Sequence, residues 1–411
     1  MGLSLVTGAI ATVVFIAVIV IVSLDIYPIF RTWLGRIHIG RHSDLSEWNK
    51  LISQVGVKWL NDTPKVKVTD HTRFTILERV KGQYSAATLQ DWQQALLLLG
   101  LTEQVLDNKD KKAIDTFLAS KFNEKGEWKV APRHVDSAIL AYSVMKVPGI
   151  NLEQYRPALD ATLQLIKEHM GTEETVLYRK SMNDYRYVDT IGFICPFLTA
   201  YGMKFGEQSC IDLAMKQIRA YVQHGFQKQE GLPYHAYDVK TAAPLGLLGW
   251  GRGLGWFALG LIDMWTELPS NHVYKSELNA IVTSFANAAM KWQQPSGSWN
   301  WTVTRKESRS DSSTTVMLSW FLLRASALDE LKENSLNSVT KAINYLKGVT
   351  RRDGTVDFSQ GDTKDIGVYS TLFDSLPFTQ GFVIRLGRLY SKVNESEVNV
   401  STQGQREWSK V

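Results

Sequence analysis

Trp250-Gly251-Arg252-Gly253-Leu254-Gly255-Trp256 runs directly into an apolar stretch with helical spacing, residues 253–266. The seven residues combine types that suit a pocket for an anionic sugar. Trp offers a flat apolar face to a sugar ring, Arg a planar fork that matches a carboxylate, and Gly lets the backbone approach a ligand closely. A glycine-rich turn carrying two core tryptophans is the alternative that these residues alone leave open.

The same succession, a short break rich in Gly, Pro or Asp followed by an apolar stretch of period 3.6, recurs along the chain. Such stretches fall near 47–61, 86–106, 109–121, 136–147, 153–170, 190–205, 207–224, 253–266, 275–293, 311–328, 335–348 and 378–393. Strand-like alternation of any length is hard to find, so the expected fold is all-α. About twelve helices make six hairpins of roughly 60 residues each, too long and too dissimilar for a short solenoid repeat. Closing the hairpins into a ring puts one helix of each on the inside, covered by the other six. The loops entering the inner helices then line a cavity at one mouth.

The chain of 411 residues is 44% hydrophobic and 21% charged, enough to bury a large core and far from a disordered composition. Its 46 Lys+Arg against 41 Asp+Glu give a net charge of only +5, with no basic run of the kind that binds nucleic acid. Cys195 and Cys210 both fall in apolar helical patterns and are expected as buried free thiols, not as a disulfide or a zinc site. Leu3 to Leu24 carries no charge, and 22 residues at about 1.5 Å each reach roughly 33 Å, the thickness of a bilayer core. This segment is expected to be a retained transmembrane helix, since a cleaved signal would want a basic start and a small-x-small exit. Arg31, Arg36 and Arg41 on its C-terminal flank favour a single-pass protein with its globular part on the cytoplasmic side. The expected organisation is therefore an anchor over 1–25, a juxtamembrane linker over 26–45, a barrel over 46–393 and a flexible tail over 394–411. The linker mixes Tyr27, Phe30, Trp33 and Arg in a way that suits the membrane interface.

Three loop-to-helix junctions hold the candidate chemistry. In His134-Val135-Asp136-Ser137, an Asp precedes an apolar helix, which by itself reads as an N-cap. In Tyr185-Arg186-Tyr187-Val188-Asp189-Thr190, an Asp again starts a helix, now behind two tyrosines. Gly231-Leu232-Pro233-Tyr234-His235-Ala236-Tyr237-Asp238 sets a His between tyrosines in a Pro/Gly loop, a less usual setting for a core histidine.

In order along the chain these elements resemble the unsaturated rhamnogalacturonyl hydrolases of glycoside hydrolase family 105 and the related unsaturated glucuronyl hydrolases of family 88. Tyr187-Val188-Asp189 with Pro196-Phe197, Tyr234-His235 with Asp238, and Trp250 through Trp256 match family motifs. Ser296-Gly297-Ser298-Trp299, Asp311 through Met317 and Gln380-Gly381 match further landmarks. The resemblance spans roughly 85–393 and implies an (α/α)6 barrel. It assigns Asp189 as the catalytic acid and Asp136 as a second carboxylate facing it. His235 and Arg252 become polar substrate contacts, and Trp250 and Trp256 aromatic walls. Arg179 falls where the family tends to have Lys, with Lys180 as an alternative, and Trp92 stands where relatives place a Tyr.

The implied substrate is an oligosaccharide ending in a 4,5-unsaturated uronic acid, whose ring is a vinyl ether. Protonation at C4 and addition of water at C5 open the ring and release the rest of the chain, chemistry that needs neither metal nor organic cofactor. Thr190 and Phe193 depart from the family pattern and leave the sugar beyond the uronate open. Two other functions fit the same residues: a membrane-tethered carbohydrate-binding protein without catalysis, and a different (α/α)6 glycosidase or lyase.

Overall fold

The computed structural model of the chain describes residues 2–66, 70–81, 90–103 and 107–408. An N-terminal helix, α1 (Gly2–Arg36), is followed by α2 (Leu45–Asn61), the short α3 (Thr75–Val80), α4 (Asp91–Thr102), α5 (Asn108–Lys121), α6 (Ala138–Met145) and α7 (Leu152–Lys167). Then come α8 (Val188–Phe205), α9 (Gln208–His224), α10 (Gly251–Glu267), α11 (Lys275–Lys291), α12 (Ser312–Ala325), α13 (Lys332–Gly348) and α14 (Pro377–Trp408). Setting aside α1 and α3, the twelve remaining helices each overlap one of the twelve periodic stretches.

The helices alternate between two layers. α4, α6, α8, α10, α12 and α14 pack in succession, and α14 closes the ring against α4. α2, α5, α7, α9, α11 and α13 lie outside. Burial follows position: α10 is buried without interruption from Gly251 to Trp265, whereas α7 hides one stripe, Ala158, Leu159, Thr162, Leu163 and Ile166. That stripe has the i, i+4 spacing of a helix with one solvated face. The ring closes tightly because glycines face backbone at the contacts. A Cβ on Gly381 would lie 2.1 Å from the Leu96 carbonyl oxygen, and one on Gly260 would lie 2.4 Å from that of Ile191. Starts of several helices are fixed by Asp: Asp44 accepts from the Glu47 amide at 2.6 Å and Asp107 from the Asp110 amide at 2.7 Å.

The structure departs from the sequence reading in four places. Short strands are present: β1 (Tyr185–Tyr187), β2 (Phe226–Gln227), β3 (Leu232–Asp238) and β4 (Pro244–Leu248) form one antiparallel sheet, and β5 (Ser359–Gln360) pairs with β6 (Phe373–Asp374). β3 is buried on both faces, which leaves no polar alternation to detect. The fourth periodic stretch begins as a 3-10 turn, Val135–Ser137, before α6. Helix α3 lies in a segment with no long apolar period. Finally, α14 continues to Trp408, past the position where the sequence reading starts a flexible tail.

Leu5–Arg36 is long and apolar enough to cross a membrane, by length and composition, and none of its most apolar window is buried in the fold. Its C-terminal end is attached to the barrel. Arg36 donates through Nε and Nη2 to the two carboxylate oxygens of Asp357, both at 2.8 Å, and through Nη2 to the Phe373 carbonyl at 3.1 Å. Cys195 and Cys210 are free and buried.

Candidate active site

The loops entering the inner helices meet at one mouth of the ring and enclose a cavity of about 220 Å³. Seven of the eight site residues expected from sequence border it: Trp92, Arg179, Asp189, His235, Trp250, Arg252 and Trp256.

Asp189 occupies the first turn of α8, directly after β1, so the strand-to-helix turn aims it into the mouth. Its Oδ2 is buried and has no hydrogen-bond partner among the described residues. His235 Nε2 lies 3.5 Å from that oxygen. His235 reaches this position because β3 pairs with β1 in the register Tyr187↔Ala236. Its other nitrogen, Nδ1, is 3.0 Å from the Tyr369 hydroxyl, which also accepts from the Leu247 amide at 2.9 Å. The ring is flanked by Trp250, with centroids 4.3 Å apart, and by Tyr187 at 5.5 Å.

Asp136 is placed differently. It does not border the cavity and makes no capping hydrogen bond; it accepts from Arg179 Nη2 at 3.1 Å. Arg179 in turn sits over the Tyr178 ring with Cζ 3.9 Å from its centroid and donates through Nη1 to the Tyr178 carbonyl at 2.9 Å. The arrangement holds one guanidinium at the cavity edge with a carboxylate behind it. Lys180 points outward and pairs with Glu168 at 3.2 Å, so it does not take the place of Arg179.

Arg252 sits at the base of α10, almost completely buried. Its Nη1 donates to the Gln360 carbonyl at 2.7 Å, and its Nη2 to the Gly361 carbonyl at 2.6 Å and the Thr363 hydroxyl at 3.1 Å. Both Nη atoms of the fork that the sequence reading directs at a substrate carboxylate thus engage the 360–363 loop, and Arg252 also borders the cavity. Gln360 is held further by Asp311 Oδ1, which accepts from its amide at 2.9 Å, and by donating through Nε2 to the Ser370 carbonyl at 2.9 Å. Its Oε1 accepts from Trp250 Nε1 at 3.1 Å. Trp256 stands edge-on to Trp92 at 5.6 Å and packs on Phe193 at 4.5 Å, making a continuous aromatic wall.

Several cavity residues escape sequence reasoning. Asp362, Thr363, Lys364 and Asp365 come from the long connection before α14. Burial pushes the Asp362 carboxyl above its ordinary range, opposed by the charge of Arg252. Tyr178 also lines the wall; burial pushes its hydroxyl far up, so it stays neutral. The only signal for the 361–365 loop was its length and lack of periodicity, the mark of a functional loop. Among the motif landmarks, Asp311, Gln380 and Asp238 act in the scaffold. Asp311 caps α12, accepting from the Ser313 and Thr314 amides at 3.0 Å each. Gln380 bonds to the Ile52 and Gly354 carbonyls at 3.0 Å each. Asp238 holds the exposed turn at Lys240 and Thr241.

An (α/α)6 barrel whose mouth gathers an unpaired carboxylate, a histidine, guanidinium groups and tryptophans is a carbohydrate-active six-hairpin enzyme. The chain belongs to glycosyl hydrolase family 88, whose model matches residues 63–374. Solved structures agree in fold. A possible member of glycoside hydrolase family 105 from Salmonella enterica serovar Paratyphi A superposes with a TM-score of 0.71 at 18% identity, covering 86% of this chain and 96% of that one. A family 105 glycoside hydrolase from C. acetobutylicum gives 0.66 at 19% identity, covering 77% and 98%. The unsaturated glucuronyl hydrolase responsible for glycosaminoglycan degradation in Bacillus sp. GL1 gives 0.60 at 14% identity, covering 82% and 94%.

Proposed function

We propose that this glycoside hydrolase removes a terminal 4,5-unsaturated uronic acid from oligosaccharides by hydrating the C4=C5 bond. The observation that carries the proposal is Asp189 Oδ2, a buried oxygen beside His235 that has no hydrogen-bond partner among the described residues, on a side chain that borders the cavity. Such an oxygen is free to hold or receive a proton at a substrate atom.

In the proposed reaction, Asp189 delivers a proton to C4, and the π electrons form the new C–H bond. Positive charge develops at C5 and is shared by the ring oxygen. A water adds at C5, and the Asp189 carboxylate takes the proton that the water loses. The product is a hemiketal; its ring C–O bond opens to a ketone at C5, and the hemiacetal left at C1 expels the rest of the chain as an alcohol. His235, oriented by Tyr369, stabilises the arriving water and the Asp189 carboxylate. Arg179 pairs with the uronate carboxylate, and Asp136 fixes the guanidinium that does so. Trp250, Trp256 and Trp92 stack on and exclude water from the sugar, while Arg252 supports the site through the 360–363 loop.

The enzyme is further proposed to be single-pass, with α1 anchored in the bilayer through residues 3–24 and the barrel on the cytoplasmic side, as the basic flank favours. The first test follows the absorbance of the conjugated double bond with the full chain and a panel of unsaturated uronyl disaccharides. Loss of absorbance with wild type and not with Asp189→Asn is the expected result. Binding that survives Asp189→Asn, with no loss of absorbance by either protein, would identify a tethered binding protein instead.

A further inference from the structure

We infer that α3 is a second membrane contact, a short apolar wedge that sits in the bilayer interface beside α1 and turns the mouth end of the barrel toward the membrane. The inference rests on the proposed anchoring of α1.

Three apolar side chains at the surface of α3 and its entry have no covering element among the described residues: Phe74 is 64% exposed, Leu77 59% and Val80 82%. Leu77 and Val80, three apart on the helix, share one face, and Phe74 stands at its entry. Arg73, Arg79 and Lys81 flank them in sequence, with Lys81 paired to Glu78 at 3.3 Å, the composition of an interfacial segment that buries apolar side chains beside cations at the level of anionic headgroups. Singly exposed apolar residues mean little, but these continue a larger surface. Helix α3 packs against α1, whose Ile26, Phe30, Trp33 and Leu34 are also exposed.

The depth of α3 is set by Asp25, the first charged residue after the apolar run that begins at Leu3. Its carboxylate accepts from the Phe74 amide at 2.6 Å, the Thr75 amide at 2.9 Å and the Thr75 hydroxyl at 2.6 Å. Asp25 marks where the anchor leaves the hydrocarbon, so the wedge pinned to it lies at the headgroup boundary. Phe74 holds a left-handed backbone at φ 53° and ψ 38°, a conformation that a bulky residue adopts only at a cost. The two amides bonded to Asp25 hold it there.

The same end of α1 borders the reaction cavity's loop. Pro28, Ile29, Thr32 and Trp33 line a groove of about 430 Å³ whose other wall includes Gly361 and Leu372, from the connection that supplies Asp362 to the cavity. Asp70, at the start of the segment leading to α3, accepts from the Ser370 hydroxyl at 2.6 Å. Anchor, wedge and cavity loop therefore share the mouth end of the ring.

The test places an environment-sensitive fluorophore on the full chain at Leu77→Cys, at Val13→Cys in the anchor, and at Val273→Cys, 77% exposed at the opposite end of the barrel. The buried thiols of Cys195 and Cys210 do not compete for label. Each protein is reconstituted in vesicles of equal parts phosphatidylcholine and phosphatidylglycerol carrying a spin label either near the headgroup or near the acyl-chain end. Loss of fluorescence at Leu77 with the shallow label, none at Val273, and loss at Val13 with the deep label is the expected pattern. Fluorescence at Leu77 as insensitive as at Val273, with Val13 still quenched, overturns the wedge and leaves the anchor. No quenching at Val13 removes the anchor, and the wedge with it.

Discussion

His235 Nε2 faces Asp189 Oδ2 at 3.5 Å while its Nδ1 is held 3.0 Å from the Tyr369 hydroxyl. The contact is longer than a formed hydrogen bond, so the carboxylate is addressed by the imidazole without being consumed by it. The first consequence concerns Tyr369. Tyr369→Phe removes the hydroxyl partner of Nδ1 and takes the Tyr369 acceptor from the Leu247 amide, while the aromatic contacts with Trp250 remain. Steady-state kinetics should show kcat lowered by about tenfold, the value of one hydrogen bond of roughly 1.4 kcal/mol, with a smaller change in KM. An unchanged kcat would mean that Tyr369 does not orient the histidine.

Arg252 makes its case through the backbone. Lys has a single ammonium and cannot span the Gln360 and Gly361 carbonyls as the guanidinium does. Arg252→Lys should leave at least one buried carbonyl unsatisfied and lower stability by about 1–3 kcal/mol in denaturant unfolding. Because the loop carries Asp362 and Thr363 into the cavity, KM should rise as well. A variant with full stability and a raised KM would instead indicate direct contact between Arg252 and substrate, as the sequence alone suggests.

Asp357 gives a pH dependence. Burial pushes its carboxyl up, but the hydrogen bond from Arg36 and the charge of Arg351 outweigh this and hold it below the ordinary carboxylate value. A folded-state pKa below the unfolded one contributes stability that is present above the unfolded value, about 3.9, and lost as pH falls through the folded value. Asp357→Asn should therefore destabilise at neutral pH by about 1–3 kcal/mol, the cost of taking the anion from the half-buried Arg36 and Arg351 guanidinium groups, of which Arg351 keeps Asp374 as a partner. The gap between wild type and variant in thermal unfolding should narrow below pH of about 4. A gap that is constant with pH would show that the carboxylate charge contributes nothing there.

The parts of the molecule legible in the sequence are those with a repeating signal. The twelve barrel helices announce themselves by apolar period, and Asp189, His235 and the two tryptophans by standing at breaks in it. Asp136 was visible as a residue, but its partner was not: only the folded chain brings Arg179 onto it. The 361–365 loop has no period, and its Asp and Lys residues look like those of any solvated turn until Arg252 is seen holding its backbone. Strand β3 failed to register because burial on both faces removes the alternation that marks a half-exposed strand. The role of α3 depends on Asp25, far away in sequence, and no local pattern reports such a pairing.

The most direct test of hydration at C4 and C5 is to run the reaction in deuterated water with an unsaturated uronyl disaccharide and follow the uronate by NMR. Proton transfer from Asp189, in exchange with solvent, predicts one deuterium at C4, disappearance of the vinyl proton signal and a ring-opened keto-uronate, all abolished in Asp189→Asn. Release of an intact unsaturated uronate, its double bond retained and C4 free of deuterium, would contradict hydration and indicate ordinary two-carboxylate hydrolysis at the glycosidic carbon.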